Sequence, residues 1–231
     1  GKAAWEMAKF CTDTLGNRLT SGIVITKYGH SNGSLPRCTI YEGGHPIPDY
    51  NSYRATEAAI KLVENLQSDD TVIFLISGGG SALFEYPLVA PEELSALTSE
   101  LLSCGADIVE INTLRKRLSA VKAGRFAQLC SPAHILSIIL SDVIGDHLDV
   151  IASGPACPDS STCKQAIEIT KKYNLHISDN IMTHLTTETP KSLENVETVV
   201  IGNVHKLCMA AAETCRQLGY KTVVLTDKLC C

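Results

Sequence analysis

The sequence has no apolar run near the ~18 residues that a membrane-spanning helix requires, which argues against a membrane span. It also lacks an excess of basic residues, since 20 Lys and Arg stand against 25 Asp and Glu, for a net charge of -5. Nucleic acids and anionic membranes bind basic surfaces, so neither is an expected partner. No secretory signal is visible. Small-molecule substrates remain as the default.

Cysteine pairs with C-x-x-C spacing are missing too, although the chain has 10 cysteines. Most stand singly in a chain that is too large to need disulfides for stability. We therefore expect reduced thiols and a cytoplasmic location, with a mitochondrial one as the alternative if a targeting segment once preceded Gly1. No Cys/His spacing supports a zinc site.

What the sequence does contain is a regular alternation of apolar and amphipathic segments. Residues 71–76 (TVIFLI) and 135–140 (ILSIIL) are typical of strands buried on both faces of a parallel sheet. Their alternation with amphipathic segments predicts an α/β fold, a mostly parallel sheet with helices on both faces. Further strands are predicted over 22–26, 38–41, 199–201 and 221–225, and helices over 1–16, 52–66, 91–104, 107–130, 161–173, 181–185 and 203–219.

Three consecutive glycines follow the first of these buried strands. Without Cβ atoms, Gly78, Gly79 and Gly80 can turn their N–H groups toward one anion, and the hydroxyls of Ser77 and Ser81 can add donors. A tight structural turn is the alternative. No lysine completes a Walker A loop, and Leu83 occupies the position where a dinucleotide fingerprint or a nucleophile elbow needs glycine.

Two acids, Asp142 and Asp146, follow the predicted strand over 135–140 and flank Gly145. Carboxylates at such a place can hold Mg²⁺ together with substrate phosphates, or one of them can act as a general base. The alternative is that Asp142 only caps a turn and Asp146 is solvated. In open α/β sheets, ligands bind outside the carboxyl ends of the strands, where both residues fall.

Basic residues concentrate in the helix predicted over 107–130. Arg115 and Lys122 are seven residues apart and would share one side of a continuous helix, from which they can clamp anionic oxygens. A solvated helix face is the alternative. His45 lies in a stiff Gly-His-Pro loop and is either a substrate contact or a structural residue. An anion-binding turn, acids for Mg²⁺ and basic side chains are together the components of phosphoryl transfer.

At this point several motifs match a known family. They are Gly1-Lys2-Ala3-Ala4, Tyr28-Gly29-His30, Gly44-His45-Pro46, Ile76 through Leu83, Gly105-Ala106-Asp107-Ile108 with Glu110 to Thr113, Arg115-Lys116, and Ser141-Asp142-Val143 through Ser153-Gly154-Pro155. The chain resembles the glycerate kinases of the second type, the glycerate 2-kinase family, whose smaller C-terminal part is called the MOFRL domain. The resemblance implies a Rossmann-like three-layer sandwich that faces a second lobe across the active-site cleft. It also implies transfer of the γ-phosphoryl group of ATP to D-glycerate with Mg²⁺.

The resemblance also implies roles for individual residues. Lys2, an active-site residue in that family, and Lys122 would stabilise the transferring phosphoryl oxygens, and Asp142 would be the base or a metal ligand beside Asp146. The substrate and phosphate contacts are expected to come from Ser77, Gly78, Gly79, Gly80, Ser81, His45, Asn112 and Arg115. A homo-oligomer is a further expectation.

The extent of the chain leads to a final expectation. The sequence starts without Met, so residues 1–231 are expected to be a single N-terminal α/β domain of such a kinase, incomplete at its N-terminus and without the MOFRL lobe. Alone, it is expected to bind its ligands weakly and to turn over little. Two alternatives remain open: a non-catalytic anion- or nucleotide-binding module, and a hydrolase that uses Ser81.

Overall fold

The computed structural model describes residues 1–225, and in them five parallel strands form two sheets. The first sheet pairs β1 (Gly22–Lys27) with β2 (Cys38–Gly43), and the second has the order β3 (Thr71–Ile76), β4 (His134–Leu140) and β5 (Val196–Gly202). Helices flank both sheets. The predicted α/β class with parallel strands is therefore confirmed, with the expected single sheet divided into two hydrogen-bonded parts.

Nine α-helices lie in the described part of the chain. They are α1 (Ala4–Leu15), α2 (Tyr50–Val63), α3 (Gly80–Leu83), α4 (Pro91–Ser103), α5 (Ile108–Arg117), α6 (Arg125–Leu129), α7 (Cys163–Lys172), α8 (Asp179–Leu185) and α9 (Val204–Gln217). Polar N-caps define several of the starts. The Asp49 side chain accepts a hydrogen bond from the Ser52 amide at α2, and the Asp107 side chain does the same for Val109 and Glu110 at α5.

Two hydrophobic clusters hold the helices in place. The rings of Phe74, Phe84 and Phe126 pack against one another at tilted and edge-on angles, with centroids 4.9–5.6 Å apart, in a cluster that also includes Leu83. A second cluster joins α4, α5, α7 and α8, and includes the fully buried Leu101 and Leu185. Phe74 lies in β3 before the glycine turn and Phe84 follows α3, so close packing holds the segments on both sides of the turn.

The helix predicted over 107–130 is wrong as a single element. α5 ends at Arg117 and α6 begins at Arg125, because Ala123 and Gly124 adopt left-handed backbone angles, with φ of 56° and 80°. Lys122 lies in the connection between the two helices. Arg115 and Lys122 therefore do not share one side of a helix.

The predicted strand over 221–225 is also wrong, since these residues have no regular structure. Val223 and Leu225 are largely exposed, and among the described residues this segment pairs with neither edge strand of the second sheet, β3 or β5. In residues 1–225, none of the helices has the length and apolar character needed to cross a membrane.

A buried ionic network joins α5 to the segment before α7. Asp159 Oδ2 lies 3.6 Å from Arg117 Nη1, Asp159 Oδ1 lies 3.5 Å from Lys116 Nζ, and the Thr189 hydroxyl donates to Asp159 at 2.7 Å. Burial on its own would raise the pKa of Asp159. The hydrogen bond from Thr189 and the charge of Lys116 outweigh burial and hold that pKa below its ordinary value.

Asp159→Asn is expected to lower the free energy of unfolding by about 3–5 kcal/mol, because the buried Arg117 then loses a counter-charge. A carboxyl with a depressed folded-state pKa contributes stability that is present at neutral pH and lost as the pH falls below about 4. Urea unfolding near pH 7 and near pH 3 should show this loss in the wild type, and a smaller one in Asp159→Asn.

The matched control is Glu57→Gln, which breaks an ion pair with Lys61 that is shorter, at 2.7 Å, but exposed. Its free energy of unfolding should change by less than about 1 kcal/mol. Equal losses in the two variants would contradict the structural importance of Asp159.

Candidate active site

The first residues of the chain lie between the carboxyl ends of β1 and β3. The Gly1 nitrogen donates to the Ile25 carbonyl at 2.9 Å, the Lys2 amide to the Gly78 carbonyl at 2.8 Å, and the Ala3 amide to the Ser77 hydroxyl at 3.1 Å. β1 belongs to one sheet and β3 to the other. Lys2 is thereby placed at the junction of the two sheets, on the edge where ligands of α/β proteins bind.

The glycine turn leaves β3 and opens into the short helix α3. Gly79 has a φ of 84°, in the left-handed region, and acts as the N-cap of α3. A Cβ on Gly78 would lie 2.0 Å from Asp142 Oδ2, and a Cβ on Gly79 would lie 2.8 Å from His45 Cδ2 and 3.1 Å from Lys2 Cε. Glycine is therefore required here both for the backbone conformation and for the close approach of three side chains.

This crowding brings Lys2, His45 and Asp142 together around one turn of backbone. The three residues follow or precede different strands, so the sequence separates them by up to 140 positions. Lys2 and Asp142 are exposed, and His45 is half-buried. A cation, an imidazole and a carboxylate thus surround a group of backbone N–H donors on an accessible surface.

The imidazole of His45 is held in its neutral form. Partial burial lowers the pKa of His45 from its ordinary value, and the positive charges of Lys2 and Lys27 lower it further. The charge of Asp142 opposes this shift but does not outweigh it. At neutral pH, His45 can therefore donate one hydrogen bond and accept another without adding charge to the site.

The far side of the glycine turn packs on residues 151–155. A Cβ on Gly80 would lie 2.6 Å from Ala152 Cβ, and the Ser81 hydroxyl lies 3.0 Å from the Ser153 hydroxyl. Ala152 and Ser153 both adopt left-handed backbone angles. Because the partner of the Ser81 hydroxyl within residues 1–225 is another hydroxyl and not a base, Ser81 lacks there the activation that a nucleophilic serine needs.

The basic residues predicted for the site lie deeper. The Lys122 side chain is 1% exposed, and its ammonium group is 2.7 Å from Glu85 Oε2. Arg115 lies in the last turn of α5, about one turn after Asn112, and its buried Nε has no hydrogen-bond partner in the described residues. Burial lowers the pKa of Lys122, the charge and hydrogen bond of Glu85 oppose that shift, and the positive charge of Arg115 adds to it.

The two acids after β4 have different surroundings. Asp142 lies against Gly78 in the glycine turn, whereas Asp146 accepts a hydrogen bond from the Asn203 side chain. Residues 1–225 contain no group of three or more His, Cys, Asp or Glu side chains arranged to hold a metal. A magnesium ion at Asp142 would therefore take most of its ligands from phosphate oxygens and water, which is common for Mg²⁺.

Glu85 is the residue that sequence reasoning missed. It is the one charged residue in the segment 82–89 (ALFEYPLV), and a lone acid in an apolar segment needs a buried partner. That pattern was the available signal. The identity of the partner, Lys122, depends on the turn at Ala123 and Gly124 and could not be read from spacing.

The sequence also matches a known protein family. A family model described as a domain of unknown function, DUF4147, matches residues 1–186. The chain belongs to this family. The DUF4147 match spans Lys2, His45, the glycine turn and Asp142, and ends before β5.

Several proteins similar to this chain have names that state an activity. A Thermotoga maritima protein named D-glycerate 2-kinase is 50% identical over the whole chain, which covers 56% of that protein. A Pyrococcus horikoshii protein named glycerate 2-kinase is 38% identical over 99% of the chain, which covers 54% of that protein. A crystal structure of glycerate kinase from Thermotoga maritima superposes on 97% of this chain and 55% of that one, with a TM-score of 0.93. The chain thus spans about half the length of the curated relatives it matches.

Proposed function

We propose that this chain is the part of an ATP-dependent kinase that holds the reacting groups for phosphorylation of D-glycerate. The observation that carries the proposal is the convergence of Lys2, His45 and Asp142 on Gly78 and Gly79. The names of the 50% and 38% identical relatives support the choice of acceptor.

The geometry suits phosphoryl transfer because that chemistry depends mainly on positioning and on stabilisation of spread negative charge. The N–H groups of the glycine turn would bind phosphate oxygens, and the Lys2 ammonium would neutralise the charge that builds up on the transferred group. Ser77 and Ser81 lie at the two ends of the turn. In this proposal their hydroxyls hold its shape, since both already have partners within the chain.

The acceptor hydroxyl must lose a proton as it attacks. In the proposed step, the glycerate hydroxyl oxygen forms a bond to the γ-phosphorus of ATP, the bond from that phosphorus to the bridging oxygen breaks, and ADP leaves. Asp142 receives the hydroxyl proton, because its carboxylate is exposed and lies next to the glycine turn. His45, neutral at the site, would hydrogen-bond the substrate.

Magnesium would be held by Asp142 and the phosphate oxygens, and it would supply charge neutralisation. Asp146 lies beside Asn203. It would bind the magnesium ion either directly, as a second carboxylate ligand, or through a water molecule. Arg115, whose Nε has no partner within residues 1–225, and Asn112 on the same helix would contact the substrate carboxylate or a phosphate.

A coupled assay tests this proposal: the chain, joined to the parts of the Thermotoga maritima relative that it does not cover, is incubated with ATP, Mg²⁺ and D-glycerate, and ADP release is followed. The second candidate is a non-catalytic module that binds the anion without chemistry, which is favoured by the half-length coverage of the relatives. Calorimetric ATP binding without glycerate-dependent ADP release would support the module. Phosphorus and proton NMR of the product would identify the phosphorylated hydroxyl, which we propose to be the 2-hydroxyl from the name of the 50% identical relative.

A further inference from the structure

A fully buried ion pair lies behind the glycine turn. Lys122 Nζ is 2.7 Å from Glu85 Oε2, and each side chain is 1% exposed. The same ammonium donates to the Ser81 carbonyl at 2.7 Å and to the Phe84 carbonyl at 3.3 Å. The N–H groups of the Lys122 ammonium thus donate to α3 and the residues that follow it. A cation there also complements the carbonyl end of the helix.

Glu85 depends on this lysine. Neither of its carboxylate oxygens has a hydrogen bond of good geometry in residues 1–225, and Lys122 is its ion-pair partner there. Burial lowers the pKa of Lys122, while the charge of Glu85 acts in the opposite direction. Each charge therefore makes the burial of the other tolerable, and loss of one leaves the other uncompensated.

The backbone on either side of the pair is tied to a third segment. The Ala123 amide donates to the Ser153 carbonyl at 3.0 Å and the Gly124 amide to the Gly154 carbonyl at 2.7 Å. The Ser153 hydroxyl in turn lies 3.0 Å from the Ser81 hydroxyl. The ion pair therefore lies where three segments meet: α3 with the residues after it, the connection before α6, and residues 153–154.

We propose that Lys122 and Glu85 are a positioning pair, which keeps the glycine turn in its anion-binding shape and does not contact the transferred phosphoryl group. This inference rests on the proposed function only in taking the anion to be a phosphate of ATP. It replaces the expectation that Lys122 stabilises phosphoryl oxygens directly. Without the pair, Gly78 and Gly79 would move away from Lys2 and Asp142.

Hydrogen exchange of the 231-residue chain tests the proposal without relying on turnover. Lys122→Met and Glu85→Gln should each accelerate amide exchange over residues 77–85 by at least ~10-fold, because an uncompensated buried charge favours opening of this segment. Leu185→Ala is the matched control, a buried truncation in the cluster of α4, α5, α7 and α8. It should lower Tm without accelerating exchange over 77–85.

The double variant Lys122→Met with Glu85→Leu contains no unpaired charge and keeps the test valid if a single variant fails to fold. Its exchange over 77–85 should fall between that of wild type and the single variants, and its ATP affinity by calorimetry should be weaker than that of wild type. Wild-type exchange and wild-type ATP affinity in the double variant would overturn the proposal, as would single variants that match the control. Failure of the wild type to bind ATP would instead remove the proposed function, and the exchange result would still decide the role of the pair.

Discussion

Asp142→Asn is expected to lower kcat by at least ~10²-fold while leaving Tm nearly unchanged, because an amide neither accepts the hydroxyl proton nor neutralises Mg²⁺ well. Asp142 is exposed, so the substitution buries no unsatisfied group. The measurement is a coupled ADP assay on an extended chain, in which the parts of the Thermotoga maritima relative outside the match are joined to the present chain, since this chain covers 56% of that protein.

Two further measurements distinguish the possible roles of Asp142. Asp146→Asn should reduce kcat less, because Asp146 contacts Asn203 rather than the glycine turn. If Asp142 acts mainly as a metal ligand, raising the Mg²⁺ concentration should restore part of the activity of Asp142→Asn; if it acts as the base, added Mg²⁺ should not. A near-normal kcat would remove Asp142 from the mechanism.

Gly79→Val is expected to weaken ATP binding by at least ~10-fold, about 1.4 kcal/mol of binding free energy. The added Cβ would lie 2.8 Å from His45 Cδ2, so the side chain intrudes where the anion approaches, and valine resists a φ of 84°. Calorimetric titration of the 231-residue chain with ATP measures the loss.

Gly105→Val separates the two effects of this substitution. Gly105 also has a left-handed φ, of 74°, but a Cβ there would meet no atom of the described residues within 4 Å. Both valines should therefore lower stability through backbone strain of roughly 1–2 kcal/mol, while only Gly79→Val should weaken ATP binding. Undiminished ATP affinity in Gly79→Val would show that the glycine turn does not bind the anion.

The elements that sequence reasoning located correctly carry strong local signals. Residues 72–76 are apolar throughout and the three glycines follow after Ser77, so the strand and the turn needed no tertiary information. The same applies to the strand containing 135–140 and to the placement of Asp142 at its carboxyl end. That the glycine turn and Asp142 lie near each other could be predicted only from the general rule that ligand sites form at the carboxyl ends of parallel strands.

The errors arise where tertiary contacts override local preference. Nothing in the composition of residues 107–130 forces Ala123 into a left-handed conformation, which follows from its hydrogen bond to the Ser153 carbonyl. That turn sends Lys122 inward to Glu85 rather than along a helix face beside Arg115. Local periodicity could not predict this, because the partner residue lies 37 positions away in the sequence.

ADP release with and without D-glycerate, measured side by side for the 231-residue chain and for the extended chain, tests the proposed kinase function most directly. Exact alignment of donor and acceptor contributes up to about 7–11 kcal/mol to such reactions. We expect glycerate-dependent ADP release from the extended chain and turnover lower by orders of magnitude from the 231-residue chain. Equal turnover would mean that these residues already form a complete site. No glycerate-dependent ADP release from a folded, ATP-binding extended chain would contradict the proposed kinase function.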